Sequence, residues 1–182
     1  MTAMSTQTAE VFFALLALVA VVGAVGLVVA RVMASRSAAA ASVVDTVAGP
    51  GLAFAAVVAA TCMAGSLYFS EVADFIPCTL CWYQRIAMYP LAVMLAIAAA
   101  RQDRAVRFYA VPLATIGAAI STYHYVIEWV PEAETGVCST TIPCSVQWFD
   151  PIFGFVSLPF MAFCGFILII SLVTLRPQET VT

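Results

Sequence analysis

Lysine is absent from this 182-residue chain, histidine occurs once, and charged side chains make up only 9% of it. A water-exposed globular surface normally draws on about 25% charged residues, so this composition excludes a soluble domain. The seven basic residues, all arginine, are outnumbered by ten acidic ones, for a formal net charge of −3. The basic patch that nucleic-acid binding needs is therefore missing. Also lacking is any polar stretch long enough to form a separate soluble fold around a nucleotide cofactor. What is present is apolar: 64% of the residues, the composition of an integral membrane protein.

Five apolar stretches stand out at 11–33, 52–72, 86–100, 108–127 and 158–175. A helix rises 1.5 Å per residue, so about 20 residues cross a hydrocarbon core of about 30 Å. The third stretch is short unless its first turn begins nearer Cys81. An Ala/Ser/Gly linker is expected at 34–51, a short turn at 75–81, a polar turn at 101–107 and a longer loop at 130–157. Gly23 and Gly26 read as a helix-packing face rather than a nucleotide loop.

Arg31, Arg36, Arg101, Arg104, Arg107 and Arg176 fall beside alternate connections, and Glu71, Asp74, Glu128, Glu132, Glu134 and Asp150 beside the others. Positive charge marks the cytoplasmic side. The expected topology is multi-pass in the cytoplasmic membrane, with the N-terminus outside and the C-terminus inside. The small residues at 37–42 suggest an alternative in which the first segment is a cleaved signal peptide, but residues 1–10 carry no positive charge and the apolar run exceeds a usual h-region.

This topology sorts the six cysteines by depth. Cys62 and Cys164 lie mid-helix, where a thiol behaves as a small hydrophobe. Cys78, Cys81, Cys138 and Cys144 fall on the outer, oxidising side. The first pair is a CxxC at the mouth of a helix, Pro77-Cys78-Thr79-Leu80-Cys81-Trp82-Tyr83-Gln84-Arg85. The positive end of the helix dipole favours the thiolate, which is the reacting form. Arg85 follows Cys81 by four residues and so shares its helical face, about 6 Å along the axis. An arginine one turn into the bilayer needs a partner, and the candidates are the Cys81 thiolate and a polar ligand head group. Snorkelling back to the interface is the alternative.

Cys138 and Cys144, with five residues between them in the long loop, suit either a local staple or an exposed disulfide that exchanges with an incoming thiol. Exchange is the better reading beside a CxxC on the same face. The aromatic stretch from Val146 through Trp148 and Phe149 to Val156 is too short to span and favours the membrane surface, which would hold this pair low over the CxxC. Glu128, Glu132 and Glu134 read as a solvated rim. His124 sits late in the fourth segment at the expected depth of Arg85, placed to hydrogen-bond a head group or pass a proton.

Together, the CxxC-x-Y-Q-R string, His124 and the loop pair followed by Gln147-Trp148 resemble the bacterial DsbB-type membrane thiol:quinone oxidoreductases, the disulfide bond formation proteins, particularly short-loop BdbC-like members. The resemblance covers about 52–176. It implies an all-α integral membrane protein, a four-helix transmembrane bundle plus one extra N-terminal transmembrane helix. The expected organisation is that helix and a cytoplasmic linker over 1–51, the catalytic unit over 52–176, and a cytoplasmic tail over 177–182. It further implies that Cys78 and Cys81 couple to a quinone (ubiquinone or menaquinone), with Cys81 facing the ring. Arg85 would stabilise thiolate and quinone, with His124 as the second cofactor-binding residue. Cys138 and Cys144 would oxidise an extracytoplasmic thioredoxin-fold, DsbA-like dithiol protein. The close loop spacing and the extra helix depart from the family's pattern.

A lipid-soluble acceptor is the simplest electron sink for thiols placed beside the lipid phase. The alternatives are a vitamin K epoxide reductase-like protein, which the Tyr83-Gln84-Arg85 continuation disfavours; a zinc site built from the four outer thiols, which leaves Arg85 without a role; and a structural protein with inert disulfides.

Overall fold

The computed structural model describes residues 5–176, so the expected tail at 177–182 lies outside the described residues. The described residues form six α-helices: α1 (Thr6–Met33), α2 (Ala38–Ala48), α3 (Gly51–Glu71), α4 (Thr79–Arg101), α5 (Arg107–Trp129) and α6 (Leu158–Thr174). Helices α1, α3, α4 and α5 are long and apolar enough to cross a membrane. At 17 residues α6 is shorter, about 26 Å at 1.5 Å per residue. The protein is an all-α, multi-pass membrane protein, and its one β-feature among the described residues is an isolated bridge between Ile152 and Val156.

Local chemistry explains the boundaries. Ser5 caps α1, its hydroxyl accepting from the Thr8 N–H, as N-cap side chains do for the orphan donors of a first turn. Cys78 takes the same position on α4 and accepts from the Cys81 N–H at 3.3 Å. This helix therefore begins at Thr79, ahead of the apolar run at 86, and reaches spanning length. It ends at Gln102, whose left-handed φ of 55° closes the last turn. Asp103 then accepts from the Ala105 N–H and starts the turn into α5.

Most of the expected linker at 34–51 is helical: it forms α2, 11 residues long. Ser37 caps it by accepting from the Ala40 N–H. Its Val44 and Ala48, one turn apart, are buried against Leu27, Ala30 and Leu175. An alanine-rich run has high helix propensity, and this apolar stripe gives it somewhere to pack. The expected packing role of Gly26 is also absent. A Cβ there would meet nothing within 4 Å, while one on Gly23 would make ordinary contact with Leu168.

Helices α3, α4, α5 and α6 close a ring, each packed on the next and α6 back on α3; α1 lies outside it against α6. The core is Leu91 and Leu95 of α4 and Phe166 and Ile169 of α6, packed with small residues including Ala55, Ala59, Ala110 and Ala114. Small side chains let helix backbones approach where lipid supplies no hydrophobic drive. Gly117 is required by such an approach, since a Cβ there would stand 2.3 Å from the Phe166 ring.

Polar groups fasten the two ends of the ring. At one end Arg31 donates to the Thr174 carbonyl and Arg104 to the Ala48 carbonyl, both at 2.8 Å. At the other, the Ser157 hydroxyl donates to Glu128 and the Tyr125 hydroxyl to the Phe155 carbonyl. This second end carries the mouth of α4 and the long loop.

Candidate functional site

The site grows out of the first turn of α4. As N-cap, Cys78 points its sulfur back over the turn, and the next turn-mate on that edge is Cys81; the two sulfurs stand 2.9 Å apart. Both are free thiols, whereas Cys138 and Cys144 form a disulfide with Cα atoms 5.8 Å apart. Cys78, Cys81, Cys138 and Cys144 thus do not form one four-thiol set. The donor atoms that do converge are those of Cys78, Cys81 and His124, within 4.8 Å of one another.

The two thiols of the CxxC face different surroundings. Cys78 is buried in a cluster with Cys144, Leu80 and Ile127, with Cys138 and Ile142 packed against it. Cys81 packs against the same cluster and also lines an apolar cavity of about 360 Å³ between α1, α3, α4 and α6. Cys78 is not among that cavity's lining residues. One turn of helix therefore sets Cys78 among the loop cysteines and Cys81, in contact with the same cluster, at the cavity wall.

His124, from the last turns of α5, sits on the loop side. Its Nδ1 accepts from the Gln84 side-chain amide at 3.1 Å, which leaves Nε2–H to donate to the Cys144 carbonyl at 3.1 Å, with the Cys78 sulfur 3.6 Å away. Gln84 and His124 are both buried, and a buried imidazole with both nitrogens engaged has a defined tautomer and orientation. His124, expected to hydrogen-bond a head group or pass a proton, is not among the residues lining the cavity; it hydrogen-bonds the Cys144 carbonyl beside Cys78. The Cys78 thiol pKa is lowered to about 4, first by the hydrogen bond it shares with Cys81 and then, against the opposing effect of burial, by His124 and the Cys81 N–H.

Arg85 lines the cavity, but its first partner is neither expected candidate. Its Nε donates to the Ser66 hydroxyl and its Nη2 to the Ser66 carbonyl, both at 3.0 Å, and its guanidinium lies 5.1 Å from the centre of the Trp82 ring. The Tyr89 hydroxyl donates to the same Ser66 oxygen at 3.2 Å. Neither Ser66 nor Tyr89 is singled out by sequence. Tyr89, four residues after Arg85 on one helix face, carried a local signal; Ser66, on another helix, carried none.

The loop is held over the mouth of α4 by aromatic stacking. Trp148 stacks on Phe75 at 5.4 Å, Phe75 on Phe69 at 5.6 Å, and Phe149 lies against both phenylalanines. Glu134 accepts from the N–H groups of Gly136 and Cys138, ordering the start of the disulfide loop rather than serving only as a solvated rim. Within the disulfide Cys144 is buried and Cys138 half-buried. Of the two inner cysteines, Cys164 is fully buried, whereas Cys62 reaches the cavity wall.

The family described as "Disulfide bond formation protein DsbB" matches residues 48–175. Disulfide bond formation protein C of Bacillus subtilis (strain 168) is 50% identical over 125 residues, covering 68% of this chain and 89% of the relative. The probable disulfide formation protein C of Bacillus cereus (strain ATCC 14579) is 49% identical over 106 residues, covering 58% and 76%. The probable disulfide formation protein of Oceanobacillus iheyensis is 42% identical over 120 residues, covering 64% and 82%. No solved structure matches the chain. The chain belongs to the DsbB family of disulfide bond formation proteins.

Proposed function

We propose that this protein is a membrane thiol:quinone oxidoreductase that reoxidises an extracytoplasmic thioredoxin-fold dithiol protein. The observation that carries the reading is the place of the CxxC between loop and cavity: Cys78 packs with the loop disulfide, and Cys81, against the same cluster, also lines the apolar cavity. In the first step a partner thiolate attacks one sulfur of Cys138–Cys144. A mixed disulfide forms and the other loop cysteine leaves as thiolate. The partner's second thiol then closes the partner's own disulfide, leaving Cys138 and Cys144 reduced. In the second step the loop dithiol attacks an oxidised Cys78–Cys81 pair in the same way. Two electrons and two protons thereby reach Cys78 and Cys81, while Cys138–Cys144 is restored.

The cavity fits a lipophilic acceptor. Its volume lies in the usual range for ligand sites, about 300–1,000 Å³, and its walls are apolar except for a few groups that include Arg85, Gln84, Tyr89 and Ser66. Ser66 engages two of the five N–H groups of Arg85, so donors remain for a carbonyl oxygen held beside Cys81. A bound quinone would supply a two-electron sink within the membrane. The protein's part is to hold that oxygen, keep water out with the aromatic stack, and present Cys81. The clustering of arginines at the opposite end supports an orientation with the site outside and the C-terminus in the cytoplasm.

The test supplies purified protein with a reduced thioredoxin-fold dithiol donor and a decyl-tailed benzoquinone. Donor-dependent quinone reduction is expected, abolished by serine at any of Cys78, Cys81, Cys138 or Cys144. Donor oxidation that persists without quinone reduction would overturn the acceptor assignment.

A further inference from the structure

Helix α1 lies outside the residues 48–175 matched by the family, yet it forms one wall of the cavity through Phe13, Leu16, Ala17 and Ala20. Its seating is specific. The main body of α1 packs on α6, and Phe13 crosses from it to α3. There the ring lies over Gly65, where a Cβ would stand 2.7 Å from the Phe13 ring edge. The same ring is 5.5 Å from Phe69 and thereby extends the stack that runs through Phe75 to Trp148. Four rings from α1, α3, the α3–α4 turn and the long loop thus roof the end of the cavity that holds Cys81. Ala17, further along α1 on the same side, is buried and small, so the space below the roof stays open. Larger residues there would fill it.

We propose that α1 is part of the acceptor site: Phe13 closes its outer end, and Ala17 and Ala20 set the width that admits a flat ring with an apolar tail. The proposal rests on the quinone reading above. It assigns the extra helix a role in acceptor affinity and selectivity, separate from the thiol exchange at the loop. An apolar site discriminates by volume, and single methylene-sized changes alter recognition by about 10-fold or more.

The test uses the full chain in detergent and measures binding of a decyl-tailed benzoquinone by quenching of tryptophan fluorescence, alongside the quinone-free oxidation of one equivalent of dithiol donor. Ala17→Leu narrows the slot; Phe13→Ala opens its roof; Gly65→Ala displaces the Phe13 ring. Each is expected to weaken quinone binding on the order of tenfold while donor oxidation proceeds as in the unaltered protein, which also reports an intact fold. Val22→Ala, on the exposed side of α1, is the control expected to change neither. If the three variants bind quinone normally while Arg85→Ala does not, α1 is only a packing helix and the proposal fails with the quinone site intact. If the unaltered protein binds no quinone, the functional reading falls and the proposal with it.

Discussion

The Nε2–H of His124 donates to the backbone carbonyl of Cys144 at 3.1 Å, so the half of the loop disulfide that is buried is tied to α5 by a side chain that also faces Cys78. A backbone anchor of this kind leaves the sulfurs free to exchange while fixing where the loop sits. His124→Ala would leave the Cys144 carbonyl and the Gln84 amide without this partner, and an unsatisfied buried polar group costs about 1–3 kcal/mol. A lower thermal midpoint and slower transfer from the loop dithiol to Cys78 are expected, with quinone affinity unchanged because the imidazole does not line the cavity. Weaker quinone binding in this variant would return His124 to the cofactor site.

Cys78 provides a pH prediction. A free thiol titrates near pH 8.5, and lowering this one to about 4 keeps it a thiolate through the neutral range. The thiolate is lost only as pH falls through the lowered value. The rate of Cys78 alkylation, corrected for reagent effects, should therefore stay level from about pH 8 to about pH 6, where an ordinary thiol would lose most of its reactivity. Cys81→Ser removes the thiol that contributes the largest stabilisation and should shift the midpoint upward. A profile with its midpoint near 8.5 in the unaltered protein would refute the assignment.

Arg85 has two jobs in this geometry, bracing α4 against Ser66 and presenting charge to the cavity. Arg85→Ala should weaken quinone binding by about 10- to 100-fold, the equivalent of one charge-assisted hydrogen bond. Lysine keeps the charge but loses the planar fork that spans the Ser66 hydroxyl and carbonyl, so it should restore binding only in part. Ser66→Ala separates the jobs: it removes the hydroxyl brace and leaves the charge, and a smaller loss is expected. Equal binding by all of these variants would make Arg85 a structural brace alone.

The unequal burial of the loop cysteines predicts the order of attack. Cys138 is the more accessible sulfur, and Cys144 is enclosed with Cys78. A donor carrying a single thiol should form its mixed disulfide on Cys138, with Cys144 leaving toward the CxxC, as peptide mass mapping after an acid quench would read out. Mapping to Cys144 would reverse the order.

Much of this architecture was legible along the chain because its causes are local. Runs of apolar residues long enough to cross a bilayer mark the helices, and the i to i+4 relation between Cys81 and Arg85 follows from helix geometry alone. The same locality explains two differences. The alanine-rich stretch at 34–51 looked like a linker because its apolar stripe is short, and only the presence of Leu27, Ala30 and Leu175 beside it turns propensity into a packed helix. Gly26 looked like a packing residue, but no neighbouring helix approaches it.

By itself the sequence determined the membrane class, the approximate places of the long apolar helices, the CxxC and the loop pair, since each is written in composition or short spacing. Tertiary structure alone decided which way each thiol faces. Ser66 meets Arg85 across 19 residues, Gln84 meets His124 across 40, and Cys78 meets His124 across 46. Phe13 reaches Gly65 only because α1 folds back along α6. Contacts between distant helices depend on how side-chain volumes fill the space between them, and no periodicity within one helix encodes which residue of another will fill it.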